Sequence, residues 1–153
     1  MNTQNFTAAF TVDQTADEVF AAINDVRGWW SENIDGTTDS LGEEFTLLNL
    51  PMHRCTIRIA EHVSGERVVW HVMDNLFSFT EDKTEWKDTD IHFDIARRDD
   101  KTELTFAHLG LVPDYECFDI CSNAWGFYVN TSLRGLIRTG TGVPNHLEQD
   151  TPV

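Results

Sequence analysis

PDYECFDICSNAWGFYVNTSLRGLIRTG, residues 113–140, is the segment with the strongest periodicity in this chain. From Phe118 to Ile137 its apolar side chains return at spacings of three and four, which is the periodicity of an amphipathic helix. Gly140 stands where such a helix would end. The segment therefore predicts a helix of about seven turns, about 35 Å long, with one apolar face.

The N-terminal part predicts one strand followed by short helices. Apolar and polar residues alternate over residues 6–12, which is typical of a strand with one buried face. Thr15 followed by Glu18 matches a capping box, so a helix should begin there and end near Asn24. The Arg-Gly pair that opens RGWW, residues 27–30, interrupts this helix ahead of two adjacent tryptophans.

The middle of the chain predicts strands joined by short turns. Each candidate strand either alternates or is rich in β-branched residues. The candidates cover residues 43–50, 53–63, 67–73, 90–98 and 102–109. Short connections favour an antiparallel meander with one solvated face. The order of elements predicts a single α+β domain over residues 1–140, followed by a flexible tail at 141–153.

Composition and charge exclude several classes of function. The chain has 153 residues, with 11 basic and 26 acidic side chains and a formal charge of −15. Such a field repels nucleic acids and anionic membrane surfaces, so neither is expected as a partner. No apolar run reaches the roughly 18–20 residues of a membrane span, and the first residues do not resemble a signal peptide. The odd count of three cysteines favours reduced thiols and a cytoplasmic protein.

Four segments resemble the START-like (SRPBCC) superfamily, and in particular its AHSA branch, the activator-of-heat-shock-ATPase type domain. They are VFAAINDVRGWW at 19–30, HRCTIRIAEHVSGERVVWHVMDN at 53–75, FTEDKTEW at 79–86 and AHLGLVPDYECFDICSNAWGFYVNTSLRGLI at 107–137. The similarity extends over about residues 8–140. It implies a helix-grip fold, in which a curved antiparallel sheet wraps around a long C-terminal helix, with short helices after the first strand. It also implies a cavity between sheet and helix that binds a small apolar or aromatic molecule.

The cavity implied by this resemblance would be lined by the strands, the tryptophan pair and the long helix. The predicted lining residues are Trp29, Trp30, Phe45, His53, Cys55, His71, Trp86, Phe106, His108, Cys121, Trp125 and Val129. Glu85 or Asn75 near the rim would add a contact. Leu76, Phe77 and Phe79 lie in a segment with little alternation, which favours a loop that acts as a lid or a partner surface. The other interpretation is a small apolar cluster that packs this loop onto the sheet.

The two adjacent indoles have two interpretations. Because both cannot point inward from one regular element, one ring should pack and the other should lie at the cavity mouth or on the surface. The pair Trp29-Trp30 would then be a stacking wall for an aromatic ligand, or part of a core packed against the long helix. For Trp125 the apolar stripe leaves the same two interpretations open.

Three histidines, His53, His71 and His108, lie on three predicted strands. If they converge on the concave face, they would orient a polar ligand group or act as acid and base. The other interpretation is a set of hydrogen-bonded structural histidines. It is favoured because no nucleophile or second base stands at a recognisable spacing.

The pair His53-x-Cys55, taken with Cys117 and Cys121, raises the question of a metal site. These spacings fit zinc patterns poorly, and small buried side chains are what free cysteines most often are. No metal and no cofactor are therefore predicted.

Three functions follow from these patterns. The leading hypothesis is noncovalent binding of a small hydrophobic or aromatic molecule, as carrier, sensor or scavenger, with no enzymatic activity expected. The first alternative is a cyclase or hydratase that uses the cavity histidines. The second, supplied by the resemblance, is a co-chaperone module that binds a heat-shock ATPase. A homodimer through an exposed strand edge also stays open.

Overall fold

The computed structural model describes residues 6–49, 53–77, 86–111 and 118–144. In chain order its elements are β1 Phe6–Val12, α1 Ala16–Asn24, α2 Val26–Trp29, β2 Ile34–Gly36, β3 Glu44–Asn49, β4 His53–Val63, β5 Arg67–Phe77, β6 Asp90–Arg98, β7 Lys101–Leu109, α3 Phe118–Phe127, a π-helical segment Tyr128–Leu133 (the π-segment) and α4 Arg134–Thr139.

The seven strands form one antiparallel sheet in the order β1-β7-β6-β5-β4-β3-β2. Strands β2 to β7 each pair with the next strand along the chain, and β1 returns to pair with β7 from Phe6 opposite His108 to Val12 opposite Thr102. The sheet is open and curved, and the C-terminal helix accompanies it. This arrangement confirms the predicted α+β helix-grip architecture.

Three of the predicted strands, β1, β4 and β6, have the predicted bounds. Strand β5 runs to Phe77, four residues beyond its predicted end. The pairing of β4 with β5 shifts register between Thr56 and Ile57, whose partners are Asp74 and Val72. The extra residue on β5 is a bulge that interrupts the alternation, which hides the strand's last part from a period-two pattern. Strand β2 was not predicted because three residues carry too little alternation to show.

Helix α1 begins as the capping box predicts. The hydroxyl of Thr15 accepts a hydrogen bond from the amide of Glu18, and the Glu18 carboxylate accepts one from the amide of Thr15. Two of the backbone N–H groups at the start of the helix are thereby satisfied by side chains. The helix ends at Asn24, also as predicted.

The predicted break at the Arg-Gly pair before the tryptophans is wrong, because α2 includes both residues. The amide of Gly28 bonds to the carbonyl of Asp25, and that of Trp30 to the carbonyl of Val26, so one more helical turn forms. A Cβ atom at Gly28 would lie 2.5 Å from the carboxylate of Asp25. The glycine therefore allows a close approach and does not end the helix.

The C-terminal helix is 22 residues long and about 33 Å in extent. It was predicted as one α-helix, but its centre is the π-segment. The buried stripe runs at intervals of four, through Cys121, Trp125, Val129, Leu133 and Ile137. Steps of four drift by about 40° each around an α-helix, and a wider π-turn takes up part of that drift. The helix ends at Gly140, with φ +84°, as predicted.

The helices pack on one face of the sheet, here called the inner face, which carries Cys55, Trp70 and Phe93. The opposite, outer face carries the residues that alternate with these, such as His71 and Asp94. Side chains of both helical regions and of the inner face form one hydrophobic core. Within the described ranges no helix is long and apolar enough to cross a bilayer.

Candidate functional site

All five tryptophans of the chain meet on the inner face. Each is at most 4% exposed, although they come from α2, β5, α3 and the turn before β6. The ring centroids of Trp30 and Trp125 lie 5.0 Å apart, and those of Trp86 and Trp125 lie 5.6 Å apart with planes only 10° from parallel. Trp70 stacks on Trp29 and on Trp30. We call this set the tryptophan cluster.

The prediction that only one indole of the pair would be buried is wrong. Trp29 and Trp30 are both buried and stack on each other, with centroids 6.3 Å apart. The chain leaves α2 between them, so the two rings are not held by one regular element. The buried hydroxyl of Ser132, in the π-segment, donates to the Trp29 carbonyl at 2.6 Å and accepts from the amide of Val143. The C-terminal helix thus fixes the backbone of the pair.

A chain of hydrogen bonds joins two tryptophans through a histidine. The indole N–H of Trp125 donates to Nδ1 of His108 at 3.0 Å. Because Nδ1 accepts, the neutral ring carries its proton on Nε2, which lies 2.8 Å from the hydroxyl of Thr89. That hydroxyl donates to the backbone carbonyl of Trp86. Both ring nitrogens of His108 are therefore occupied by protein groups.

Burial holds His108 in its neutral form. The side chain is fully buried, and this burial, with a smaller contribution from nearby His53, lowers the pKa of His108 to about 3. Strand alternation grouped His108 correctly with the inward-facing Leu104 and Phe106. Its hydrogen bonds are those of a structural histidine.

His53 lies at the edge of the cluster and contacts the amide side chain of Asn75. Its ring stands perpendicular to that of Trp86, with centroids 4.8 Å apart. Its Nε2 atom donates to Oδ1 of Asn75 at 2.7 Å, since an amide oxygen only accepts. Burial lowers the pKa of His53 to about 4, although the bond to Asn75 acts in the opposite direction. Asn75, 2% exposed, lies opposite buried Cys55 across the β4–β5 pair.

His71 does not join the other two histidines. It follows Trp70 in β5, so it lies on the outer face, one-third exposed. Its Nδ1 atom is 2.7 Å from the carboxylate of Asp90, its cross-strand partner, and Asp88 lies beyond the other nitrogen at 3.6 Å. The prediction placed His71 with the cavity residues because a lone histidine between apolar neighbours does not show which face of the strand it lies on.

The other predicted lining residues lie on the inner face within the core. Phe45 packs edge-to-face on Trp70, and Phe106 lies 4.8 Å from the ring of Trp125. The remaining buried members are Cys55, Cys121 and Val129. The sequence thus identified most of the cluster's surroundings, while Phe93 and Thr89, which contact it directly, were not named.

The predicted lid lies partly in a strand. Asn75, Leu76 and Phe77 end β5 and do not form a loop. The side chain of Leu76 is half exposed. Phe79, like Glu85, lies outside the described residues.

The cysteines of the described ranges, Cys55 and Cys121, are buried free thiols. Burial, and to a smaller extent Asp74, raises the pKa of Cys55, so its thiol stays protonated. Cys117 lies outside the described residues. Within those residues no three His, Cys, Asp or Glu side chains are arranged to hold a metal ion.

A polar cavity of about 150 Å³ lies at the neighbouring ends of β4 and β5. Its lining residues are Arg54, Thr56, Asp74, Asn75 and Leu76. Except for Asn75, these residues alternate with the inward-facing ones, so the cavity opens on the outer face. It is separate from the tryptophan cluster.

Comparison with known sequences and structures identifies the fold. No protein-family model matches the chain, and no curated protein sequence matches it. Among solved structures, the Aha1 dimer of Colwellia psychrerythraea is similar with a TM-score of 0.72 at 16% identity, covering 91% of this chain and 99% of that one. CalU16 of Micromonospora echinospora has a TM-score of 0.63 at 16% identity, over 90% of this chain and 75% of its own.

A third similar structure is DynU16, a protein of the dynemicin biosynthetic locus. Its TM-score is 0.66 at 15% identity, and the match covers 89% of this chain but only 48% of DynU16. These likenesses show the helix-grip fold that the sequence resemblance implied, with an Aha1 protein among the similar structures. At such identities they establish the fold alone.

Proposed function

We propose that this protein binds a small, flat, largely apolar molecule noncovalently, as a carrier, sensor or scavenger. The observation that carries the proposal is the contact among Trp30, Trp86 and Trp125, three indoles whose faces meet on the inner face beneath the long helix. Aromatic faces of this kind favour stacking with another flat ring.

The interior supplies affinity through apolar contact. A two-ring aromatic molecule that buries about 200 Å² of apolar surface gains about 5 kcal/mol at about 25 cal/mol per Å². The buried polar side chains of the described ranges are few and formally uncharged. They are Ser31, Thr38, Asn75, Thr89, Thr102, His108 and Ser132. The surroundings therefore suit an apolar ligand better than an ionic one.

Noncovalent binding is favoured over the cyclase or hydratase alternative by the state of the histidines. Both nitrogens of His108 are bonded to protein groups, and its depressed pKa keeps the ring neutral near neutral pH, so it is not the charged imidazolium that would act as an acid. The depressed pKa of His53 has the same consequence. His71 lies on the other face of the sheet, bonded to Asp90. A general acid needs a pKa near the working pH.

Entry of a ligand requires the rings to separate, since they contact each other in this structure. The binding-competent state is then a minor conformation, and the apparent affinity falls in proportion to its population. We expect association to be slower than the 10⁵–10⁷ M⁻¹s⁻¹ that is typical of simple docking, by roughly tenfold or more.

The test is a calorimetric and thermal-shift screen of the full chain against flat aromatic molecules and against fatty acids. Aromatic compounds should bind and raise the melting temperature. Trp30→Phe should weaken binding about tenfold, because a smaller ring stacks over less area. The control is Phe127→Leu, which removes a ring that is 42% exposed on the helix surface and should change nothing. If no compound binds, or if the two variants weaken binding equally, the proposal is wrong. The co-chaperone alternative would then be favoured.

A further inference from the structure

Asn75 presents an unused hydrogen-bond donor on the inner face. Its side chain is 2% exposed, and Oδ1 is engaged by His53. Within the part of the chain that the structure describes, its Nδ2 atom is buried and has no hydrogen-bond partner. Buried amide groups are nearly always satisfied, so a donor left open in this position calls for a partner from outside the chain.

The donor lies next to the proposed binding surface. His53, which holds the other end of the Asn75 amide, packs its ring edge-to-face on Trp86. Because the bond to His53 fixes the plane of the amide, Nδ2 has a set direction. Asn75 also comes from β5, the strand that carries Trp70 of the tryptophan cluster.

The charge of the surroundings limits what that partner can be. The buried side chains of the described ranges include no lysine or arginine, and Arg54, which lines the neighbouring cavity with Asn75, is exposed on the outer face. The thiol of Cys55, across the strand pair from Asn75, is protonated. A carboxylate ligand would lose its hydration here without meeting a positive charge, whereas an uncharged carbonyl would lose little.

We infer that the site recognises an aromatic molecule bearing an uncharged oxygen acceptor, such as a ketone or amide carbonyl, and that Asn75 Nδ2 donates to this oxygen. The inference rests on the proposed function and adds the chemistry of the ligand's polar end. Stacking on the tryptophans would supply affinity, while Asn75 would select among rings of the same shape.

Three naphthalenes of nearly equal shape test this on the full chain by calorimetry. They are 2-acetylnaphthalene, which has a ketone, 2-isopropenylnaphthalene, which replaces its oxygen by carbon, and 2-naphthoate, which is charged. The ketone should bind about tenfold more tightly than the isopropenyl compound, because it forms one additional buried hydrogen bond. The naphthoate should bind most weakly.

Two variants assign the preference to Asn75. Asn75→Leu removes the donor at similar volume, and Asn75→Asp keeps an oxygen for His53 while removing the donor. Both variants should reduce the ratio of ketone affinity to isopropenyl affinity from about ten to near one. In Asn75→Leu the affinity for the isopropenyl compound should change little. The matched control is Asn123→Leu, an exposed amide of α3, which should keep the tenfold preference.

A spectroscopic readout on the unmodified protein keeps the test valid if a variant fails to fold. The isotope-edited carbonyl stretch of bound 2-acetylnaphthalene should move to lower frequency than in a dry hydrocarbon solvent. Equal affinity of ketone and isopropenyl compounds, an unshifted stretch, or tightest binding of the naphthoate overturns the role of Asn75 while leaving aromatic binding in place. Failure of all three compounds to bind overturns both proposals.

Discussion

The two faces of the sheet place histidines in opposite chemical settings. On the inner face, His108 lies between the indole of Trp125 and the hydroxyl of Thr89, fully buried among neutral groups. On the outer face, His71 lies against the carboxylate of Asp90 and is one-third exposed. Both residues stand in interior strands of the same sheet. What separates them is the side of the strand, which changes at every residue.

The same contrast extends to the other polar groups. Ion pairs of the outer face, such as Arg58 with Glu44 and Arg67 with Asp94, are roughly half exposed. The inner face uses hydrogen bonds between uncharged groups instead. A sheet with one buried and one solvated face can thus place uncharged hydrogen-bonded side chains and charged ion pairs a few ångströms apart. Four substitutions should show this difference between the two faces in the free energy of unfolding.

The largest effect is expected from Trp70→Ala. Trp70 is 1% exposed and its ring contacts four others, so its loss should leave a cavity and lower the free energy of unfolding by about 4 kcal/mol. Urea titration measures the change. Leu76→Ala, half exposed on the outer side of the same strand, should lower it by about 0.5 kcal/mol or less. Similar losses in both variants would remove the distinction between the faces.

Acid should destabilise the protein through the inner face. The folded-state pKa of His108, about 3, lies below its ordinary value of 6.5, so unfolding takes up a proton below pH 6.5. The stability is complete above that pH and falls as the pH decreases toward 3. Between pH 7 and pH 5 this residue alone should lower the free energy of unfolding by about 2 kcal/mol.

His108→Gln isolates this contribution, because an amide can both accept from Trp125 and donate to Thr89. In that variant the free energy of unfolding should decrease by about 2 kcal/mol less between pH 7 and pH 5 than it does in the unmodified protein. Urea titration at each pH measures the difference. The effect should persist in 1 M salt, which screens surface charges far more than buried groups. An identical pH dependence in both proteins would show that His108 titrates normally in the folded state.

A smaller effect is expected from Trp125→Phe. An aromatic ring remains, although it is smaller, and Nδ1 of His108 loses the indole donor, which together should lower the free energy of unfolding by about 1.5 kcal/mol. A double-mutant cycle with His108→Leu should show a coupling energy of about 1 kcal/mol. Strict additivity of the two substitutions would mean that the bond contributes nothing to the folded state.

The smallest effect is expected on the outer face, from Arg58→Gln. Its ion pair with Glu44, 2.9 Å long, is almost half exposed on both sides. The free energy of unfolding should fall by about 0.5 kcal/mol or less, and the difference should vanish in 1 M salt. A decrease in the free energy of unfolding as large as that expected for Trp125→Phe would mean that this exposed ion pair stabilises the fold as much as a buried hydrogen bond does.

Most of the fold could be predicted because its signals are local. Alternation located β1, β4 and β6 to the residue, and a two-residue pattern located the start of α1. What failed depends on three-dimensional contacts that a sequence pattern does not show. The bulge in β5 exists only with respect to β4, and the glycine of α2 is required by the nearby Asp25 carboxylate. The π-segment follows from the match between helix and core.

The candidate site was predicted in its composition but not in its connections. The sequence identified four of the five tryptophans and both inner histidines as candidate lining residues in the same region. Trp70, whose ring contacts both tryptophans of the pair, was not among the predicted lining residues, whereas its neighbour His71 was. The link from Trp125 through His108 to Thr89 joins three distant segments, and no spacing along the chain encodes it.

The π-segment also makes the C-terminal helix a place where chain length can change without breaking the fold. A π-turn accommodates what amounts to one inserted residue within an otherwise continuous helix. Deleting the exposed Asn130 would close the segment into ordinary α-helix while leaving α4 in nearly the same orientation relative to α3. A single-codon loss here would therefore leave Arg134 and Arg138 on nearly the same side of the molecule. In a strand, the same event would exchange its inner and outer faces.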